Sequence, residues 1–306
     1  LAAPDTTIPG TPNANVDVVV LDTTPADAGS ALRSPHGISL NGMINELMCG
    51  SQTTCARATK MELALGRYFL SDGEAGYDAD FPFASQLDPV QGGNFGTQGE
   101  LAVAVFRAAA RYQAAVANPN NQDDAADRLV LNMSLGWDPN YFGDFPLSSA
   151  STADQLSVLN DTSTDTGIAA PVRAVHAVLT YANCLGAISV ASTGNRIPGF
   201  CDGGPLFPAA FNQFPRLGPN ECKISALDAG FVNPGYPVHG ASPAPVVYGV
   251  GGTDWSGRTA SFQRAQSTPE LNALGFKGAA FTDTTGSRSG ILTGTSVSSA
   301  VAAASA

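Results

Sequence analysis

The sequence predicts an α/β fold, with a mostly parallel central sheet and helices on both of its faces. Three observations point there. Runs of almost unbroken apolar residues recur at 16–21, 129–136, 187–192 and 246–252, and continuous rather than alternating hydrophobicity is the mark of a strand buried on both faces. Stretches of helical spacing or content separate them, at 36–48, 100–117 and 168–184. Strand–helix alternation with right-handed crossovers builds a parallel sheet whose strand ends gather at one edge. Finally, 306 residues with 43% hydrophobic and 13% charged content suffice for one deep core without requiring two, so 1–306 reads as a single domain.

Residues 1–15, rich in Pro, Thr and Asn, read as an extended lead-in. The first strand, 16–21, is apolar except for Asp17 and runs into Asp22, Thr23, Thr24 and Pro25. A carboxylate at the carboxyl end of a buried parallel strand stands where open α/β sheets place their sites, although an Asp also organises ordinary turns. Apolar residues at 40, 43, 44, 47 and 48 mark the first helix, by their 3.6-residue spacing. His36 opens that helix directly after Pro35. The helix dipole disfavours an imidazolium at this end, so helix stability does not account for the histidine.

Residues 58–65 read as the next strand and 71–99 as a long loop, of a length that usually signals function or disorder. In the helix 100–117 the apolar face is interrupted by Arg107 and Arg111. Strand 129–136 ends on a glycine turn, helix 168–184 leads to strand 187–192 and its terminal Thr193-Gly194-Asn195, and strand 246–252 precedes a short element at 260–262. This topology brings Asp22, His36, Gly136 and Asn195 to one edge. The last stretch, 294–306, is a glycine turn running into an alanine-rich segment without a breaker, hence a helix. Ser296 lies in its first turn, where unpaired N–H groups and the dipole stabilise negative charge on a reacting oxygen, which makes it a candidate nucleophile. Simple capping by Thr295 or Ser296 is the alternative.

The formal charge of −11, from 15 basic and 26 acidic residues, argues against nucleic acid or an anionic membrane surface as partner. The apolar runs fall short of the ~20 residues a membrane span needs. The five cysteines, Cys49, Cys55, Cys184, Cys201 and Cys222, form no zinc-type CxxC pair. The preferred arrangement joins Cys49 to Cys55 and Cys201 to Cys222 and leaves Cys184 free, although four paired cysteines allow three connectivities. With low charge and 21 prolines this favours an oxidising, secreted setting, extracellular or periplasmic; reduced, buried cysteines are the alternative.

Five blocks in order carry a resemblance. They are Val19-Val20-Leu21-Asp22-Thr23, His36-Gly37 with Gly42 and Ile44, Asn132-Met133-Ser134-Leu135-Gly136, Ser192-Thr193-Gly194-Asn195 with Phe207-Pro208-Ala209 downstream, and Gly294-Thr295-Ser296. Together they resemble the catalytic domain of subtilisin-like serine peptidases, and 260–262 and 269–271 echo that family too. The resemblance implies an endopeptidase in which Ser296 attacks, His36 moves the proton and Asp22 orients the imidazole. It further implies an oxyanion hole from the Asn195 side chain and the Ser296 N–H, and substrate pairing as an added strand along Ser134, Leu135 and Gly136. The loop after Asn195 would form the opposite wall of the specificity pocket.

No cofactor is required and no metal ligand is assigned. The family allows a structural calcium, but no run of carboxylates has ligand spacing, and Asp78-Ala79-Asp80 reads as a solvated loop. Thr24, Ser39, Ala300 and Ala304 depart from the family's usual Gly, His, Pro and Gly. The stretch 201–245 reads as an insertion near the pocket. The chain ends ten residues after Ser296, where the family continues, so the domain reads as incomplete at its C-terminus. Two other readings stay open on sequence: a catalytically silent binding or scaffold domain of the same fold, and a sedolisin-type acid peptidase, whose base is a glutamate.

Overall fold

The computed structural model describes residues 16–23, 36–49, 58–65, 67–68, 94–117, 128–138, 159, 168–196, 203–216, 222, 244–277, 279–282 and 289–306. The lead-in 1–15, most of the loop 71–99 including Asp78 and Asp80, and Cys55 and Cys201 lie outside the described residues. The strands in chain order are β1 Val16–Asp22, β2 Ala58–Leu63, β3 Arg67–Tyr68, β4 Asn94–Phe95, β5 Arg128–Met133, β6 Ile188–Ser192, β7 Tyr248–Thr253, β8 Leu271–Leu274, β9 Ala279–Thr282 and β10 Ser289–Leu292. Six of them form one sheet in the order β2-β1-β5-β6-β7-β8, and every pairing in it is parallel. β3 pairs with β4, and β9 with β10, as two small antiparallel ribbons. The helices are α1 His36–Cys49, α2 Gln98–Ala117, α3 Ala170–Cys184 and α4 Thr295–Ser305, with a short 3-10 turn at Ala209–Gln213.

Strand alternation divides the core in two. Val18 and Val20 of β1, Val130 of β5, Val190 of β6 and Val250 of β7 face Leu40 and Ile44 of α1 and Val297, Ala300 and Ala303 of α4. Their neighbours Val19, Leu21, Leu129 and Leu131 face α2, α3 and the aromatic trio Phe207, Phe211 and Phe214. Each of these larger apolar side chains contributes about 1.5–3 kcal/mol on full burial. Both faces are covered, which is why the strands read as continuous rather than alternating.

The elements differ from the sequence reading in instructive places. α2 begins at Gln98 because Thr97 and Glu100 cap it reciprocally: the Glu100 N–H donates to Thr97 Oγ1 (3.1 Å) and the Thr97 N–H donates to Glu100 Oε2 (2.7 Å). Arg107 and Arg111 do not interrupt its buried face; Leu101, Val105, Ala108 and Tyr112 form that face, and Arg111 reaches out to pair with Glu62. β7 starts at Tyr248, because the Val246 N–H is drawn instead to the Phe214 carbonyl (2.9 Å). Residues 260–262 form a turn, with the Gln263 N–H on the Ala260 carbonyl (3.0 Å). The edge strand β8 carries little apolar patterning, and the reading above has no strand there. In the described part of 201–245, Phe207, Phe211 and Phe214 are buried and belong to the core.

Cys184 is not free, and Cys222 pairs with it rather than with Cys201: the bond joins Cα atoms 5.5 Å apart across 38 residues. Cys184 ends α3, and the chain after Ala209–Gln213 returns to that end, so the pairing follows tertiary proximity rather than nearness in sequence. Cys49 is also disulfide-bonded, to a residue outside the described set.

His176 of α3 is 2% exposed, its Nε2 has no hydrogen-bond partner among the described residues, and it packs edge-on against Phe211 and Phe214 at 5.3 and 5.7 Å. Burial lowers its pKa from 6.5 to about 4. The unfolded chain therefore binds more protons between those values, and stability falls as pH drops from 6.5 towards 4. The expected loss is about 3 kcal/mol. Denaturant unfolding at pH 7 and pH 4 should show it, and His176→Leu should remove most of the difference; an equal acid loss in both proteins would contradict this assignment.

Candidate active site

β1 and α1 meet at the carboxyl edge of the sheet. Asp22, the last residue of β1, is fully buried on the same face as Val18 and Val20. A buried carboxylate needs donors, and three contacts supply them: the Thr23 N–H to Oδ1 (2.7 Å), and His36 Nδ1 to Oδ1 (2.9 Å) and Oδ2 (3.0 Å). Thr23 in turn accepts the Gly37 N–H on its hydroxyl (2.9 Å), satisfying an orphan donor of α1's first turn. The approach is so close that a Cβ on Gly37 would lie 2.0 Å from the Thr23 carbonyl oxygen. Glycine at 37 thus lets His36 sit over Asp22.

An ionised carboxylate only accepts, so the Nδ1 that faces it carries the proton, and in the neutral ring Nε2 keeps its lone pair. The His36 side chain is 20% exposed. Burial is the largest single influence and pulls its pKa down, but the Asp22 charge and hydrogen bond together outweigh it, and the pKa is raised above 6.5.

α4 brings Ser296 to the same edge. Its N-cap, Gly294, has φ +153°, a region that disfavours any side chain, and a Cβ there would lie 2.8 Å from Asn195 Nδ2. Asn195 follows the end of β6, and its side-chain oxygen accepts from the Thr295 N–H (2.8 Å) and hydroxyl (3.0 Å). Because a backbone N–H can only donate, the amide oxygen must face Thr295, which turns the Nδ2 group the other way. Position alone leaves the Ser296 N–H without an intrahelical acceptor.

The third segment is the continuation of β5. The register pairs Val20 with Asn132, and continued by two residues it puts Ser134 level with Asp22. Ser296 Oγ donates to the Ser134 carbonyl (3.1 Å), and Ser134 Oγ donates to the Ser296 carbonyl (2.9 Å). Behind them Asn132, fully buried, accepts from Ser299 Oγ (2.7 Å) and donates to Ser134 Oγ (3.0 Å). Ser134 and Leu135 are buried or partly so, and Gly136 is exposed. Two residues apart on an extended strand share a face, as do three apart on a helix, so Asn132 with Ser134 and Ser296 with Ser299 were legible as pairs.

Asp22 and His36 are thus brought into direct contact, Ser296 is joined to Ser134, and Asn195 is joined to the first residue of Ser296's own helix. Sequence reasoning missed Thr23, Leu206 and Arg264. Arg264, 4% exposed, ties three segments together, donating to Asp138 Oδ2 (2.8 Å) and the Gly204 carbonyl (3.0 Å) and packing on Gly194. Nothing local in the sequence marks it.

No protein-family model matches the chain, and no curated protein matches it. Among solved structures it is similar to one described as a psychrophilic protease (16% identity, TM-score 0.47, covering 95% of this chain and 75% of that one). It is likewise similar to a mutant of the protease domain of PatA (15%, 0.48, 95% and 78%) and to a cold adapted subtilisin-like serine proteinase (16%, 0.47, 95% and 74%).

Proposed function

We propose that this chain is a serine endopeptidase that hydrolyses peptide bonds through an acyl-enzyme intermediate. The observation that carries the reading is the His36–Asp22 contact, a histidine whose Nδ1 is held at 2.9 Å by a fully buried carboxylate at the sheet edge where α4 starts. Ser296 attacks the scissile carbonyl while His36 Nε2 accepts its proton, then returns that proton to the leaving amine. Asp22 keeps the imidazole in the useful tautomer and stabilises its charged form. As the carbonyl becomes tetrahedral, the Asn195 amide and the Ser296 N–H donate to its oxygen. The Ser296 hydroxyl rests on the Ser134 carbonyl and must turn to His36 when substrate binds; catalytic hydrogen bonds commonly tighten only then. Extended substrate lies along Ser134, Leu135 and Gly136.

The substrate is a protein or peptide, and the chemistry requires no cofactor. The disulfides at Cys184–Cys222 and at Cys49 support a secreted setting.

The deciding experiment is labelling of the folded protein with a fluorophosphonate, followed by the pH dependence of kcat/KM on a peptide substrate. A stoichiometric adduct on Ser296 is expected, with an acid limb whose apparent pKa lies above 6.5, because His36 must be deprotonated and Asp22 raises its pKa. No adduct would favour the silent scaffold, and an optimum near pH 4 would favour the acid peptidase.

A further inference from the structure

The two segments that flank the substrate path in the peptidase reading are 134–136 and 194–195, and the structure puts one side chain between them. A Cβ on Gly136 would lie 2.8 Å from Leu206 Cβ and 3.0 Å from its Cδ1, and a Cβ on Gly194 would lie 2.6 Å from Leu206 Cγ and 2.7 Å from its Cδ1. The isobutyl group therefore touches both walls where neither has a side chain of its own. Leu206 is only partly buried, so it can be reached from solvent.

Leu206 has no room to withdraw. Its N–H donates to the Thr193 carbonyl (3.0 Å) on one wall, and the next residue, Phe207, exchanges both backbone hydrogen bonds with Trp137 (2.9 and 3.0 Å) on the other. The Phe207 ring is 1% exposed and stacks on Trp137 at 5.5 Å. The Arg264 stem lies beside Leu206 in the same space, its Cδ 2.7 Å from the same added Cβ. The Arg264 guanidinium is engaged by Asp138 and the Gly204 carbonyl, so it braces the walls and presents no counter-charge to a substrate.

A substrate paired along 134–136, with its carbonyl oxygen at Asn195 and Ser296, directs the side chain on the acyl side of the scissile bond between those two walls. We propose, resting on the peptidase reading, that Leu206 forms the floor of this cleft and makes the protein selective for polypeptides cut after small uncharged residues such as glycine or alanine. Leu206 is thus a specificity-determining residue. Each methylene a cleft gains or lacks changes discrimination by about 10–200-fold, so an aromatic acyl-side residue meets a large barrier here.

The test is a series of peptide anilides that differ only in the acyl-side residue: Gly, Ala, Leu and Phe. For the unaltered protein kcat/KM for Ala should exceed that for Phe by at least about 10-fold, and in Leu206→Gly the Phe-to-Ala ratio should rise by about 10-fold or more. Melting curves establish that the variant folds, and the series on the unaltered protein decides by itself if it does not. Cleavage after Phe as fast as after Ala, in protein whose Ser296 takes the fluorophosphonate, would overturn the proposal and leave the peptidase reading standing. No turnover of any peptide together with no Ser296 adduct would overturn the peptidase reading, and this inference with it.

Discussion

Ser296→Ala is expected to lower kcat by about 10⁶, the scale of loss when the nucleophile of a Ser-His-Asp triad is removed, and to abolish the fluorophosphonate adduct. The fold should survive. The hydroxyl donates to one carbonyl, that of Ser134, at a partly exposed position, so its loss costs on the order of 1 kcal/mol and lowers Tm by only about 2–4 °C. The links that hold α4 on β5 and its continuation, from Ser299 to Asn132 and from Ser134 to the Ser296 carbonyl, do not involve that hydroxyl. Single-turnover kinetics with active-site titration, run beside a melting curve, separate the two effects. Turnover within about tenfold of the unaltered protein would remove Ser296 as nucleophile.

Asp22→Asn is expected to lower kcat by about 10⁴ with little change in KM. The substitution keeps the shape of a residue that is fully buried but allows an amide N–H to face His36 Nδ1, which then prefers to accept. The proton moves to Nε2, and the imidazole can no longer take one from Ser296. The pH behaviour gives a second readout. In the unaltered protein the Asp22 charge and hydrogen bond raise the His36 pKa against burial; without them burial dominates, and the acid limb of kcat/KM should move to lower pH. The stability linkage has the matching sign. A raised pKa stabilises the folded state fully below pH 6.5 and progressively less as pH rises through the folded value, so Asp22→Asn should cost more stability at pH 6 than at pH 9. A KM defect with normal kcat, or an equal stability loss at both values, would contradict the role assigned to Asp22.

The parts of the site legible in the sequence were those at ends of strongly patterned elements. Asp22 and Asn195 follow apolar strands, His36 opens a helix with clear apolar spacing, Ser296 lies in the first turn of an alanine-rich one, and a parallel topology sends Asp22, His36 and Asn195 to one edge. Element ends were less legible, because they depend on specific partners. The reciprocal Thr97–Glu100 cap starts α2 two residues early, and the Phe214 carbonyl delays β7 by capturing the Val246 N–H. Arg107 and Arg111 looked like breaks in an apolar face only because the width of the buried stripe on α2 was unknown.

What the sequence determined by itself was the alternation of doubly buried strands with amphipathic helices. That pattern rests on periodicity, which is local, and it carries the α/β class and the edge at which chemistry can gather. Tertiary structure alone decided which distant segments touch. Cys184 bonds to Cys222 because the chain returns past the end of α3. Leu206 meets both Gly136 and Gly194 because backbone hydrogen bonds from Leu206 and Phe207 bind its segment to two different walls. Buried Arg264 is tolerated because Asp138, far away in sequence, lies 2.8 Å from it. Disulfides, shape and buried charge depend on distances in space between residues far apart in the chain, and no periodicity encodes those.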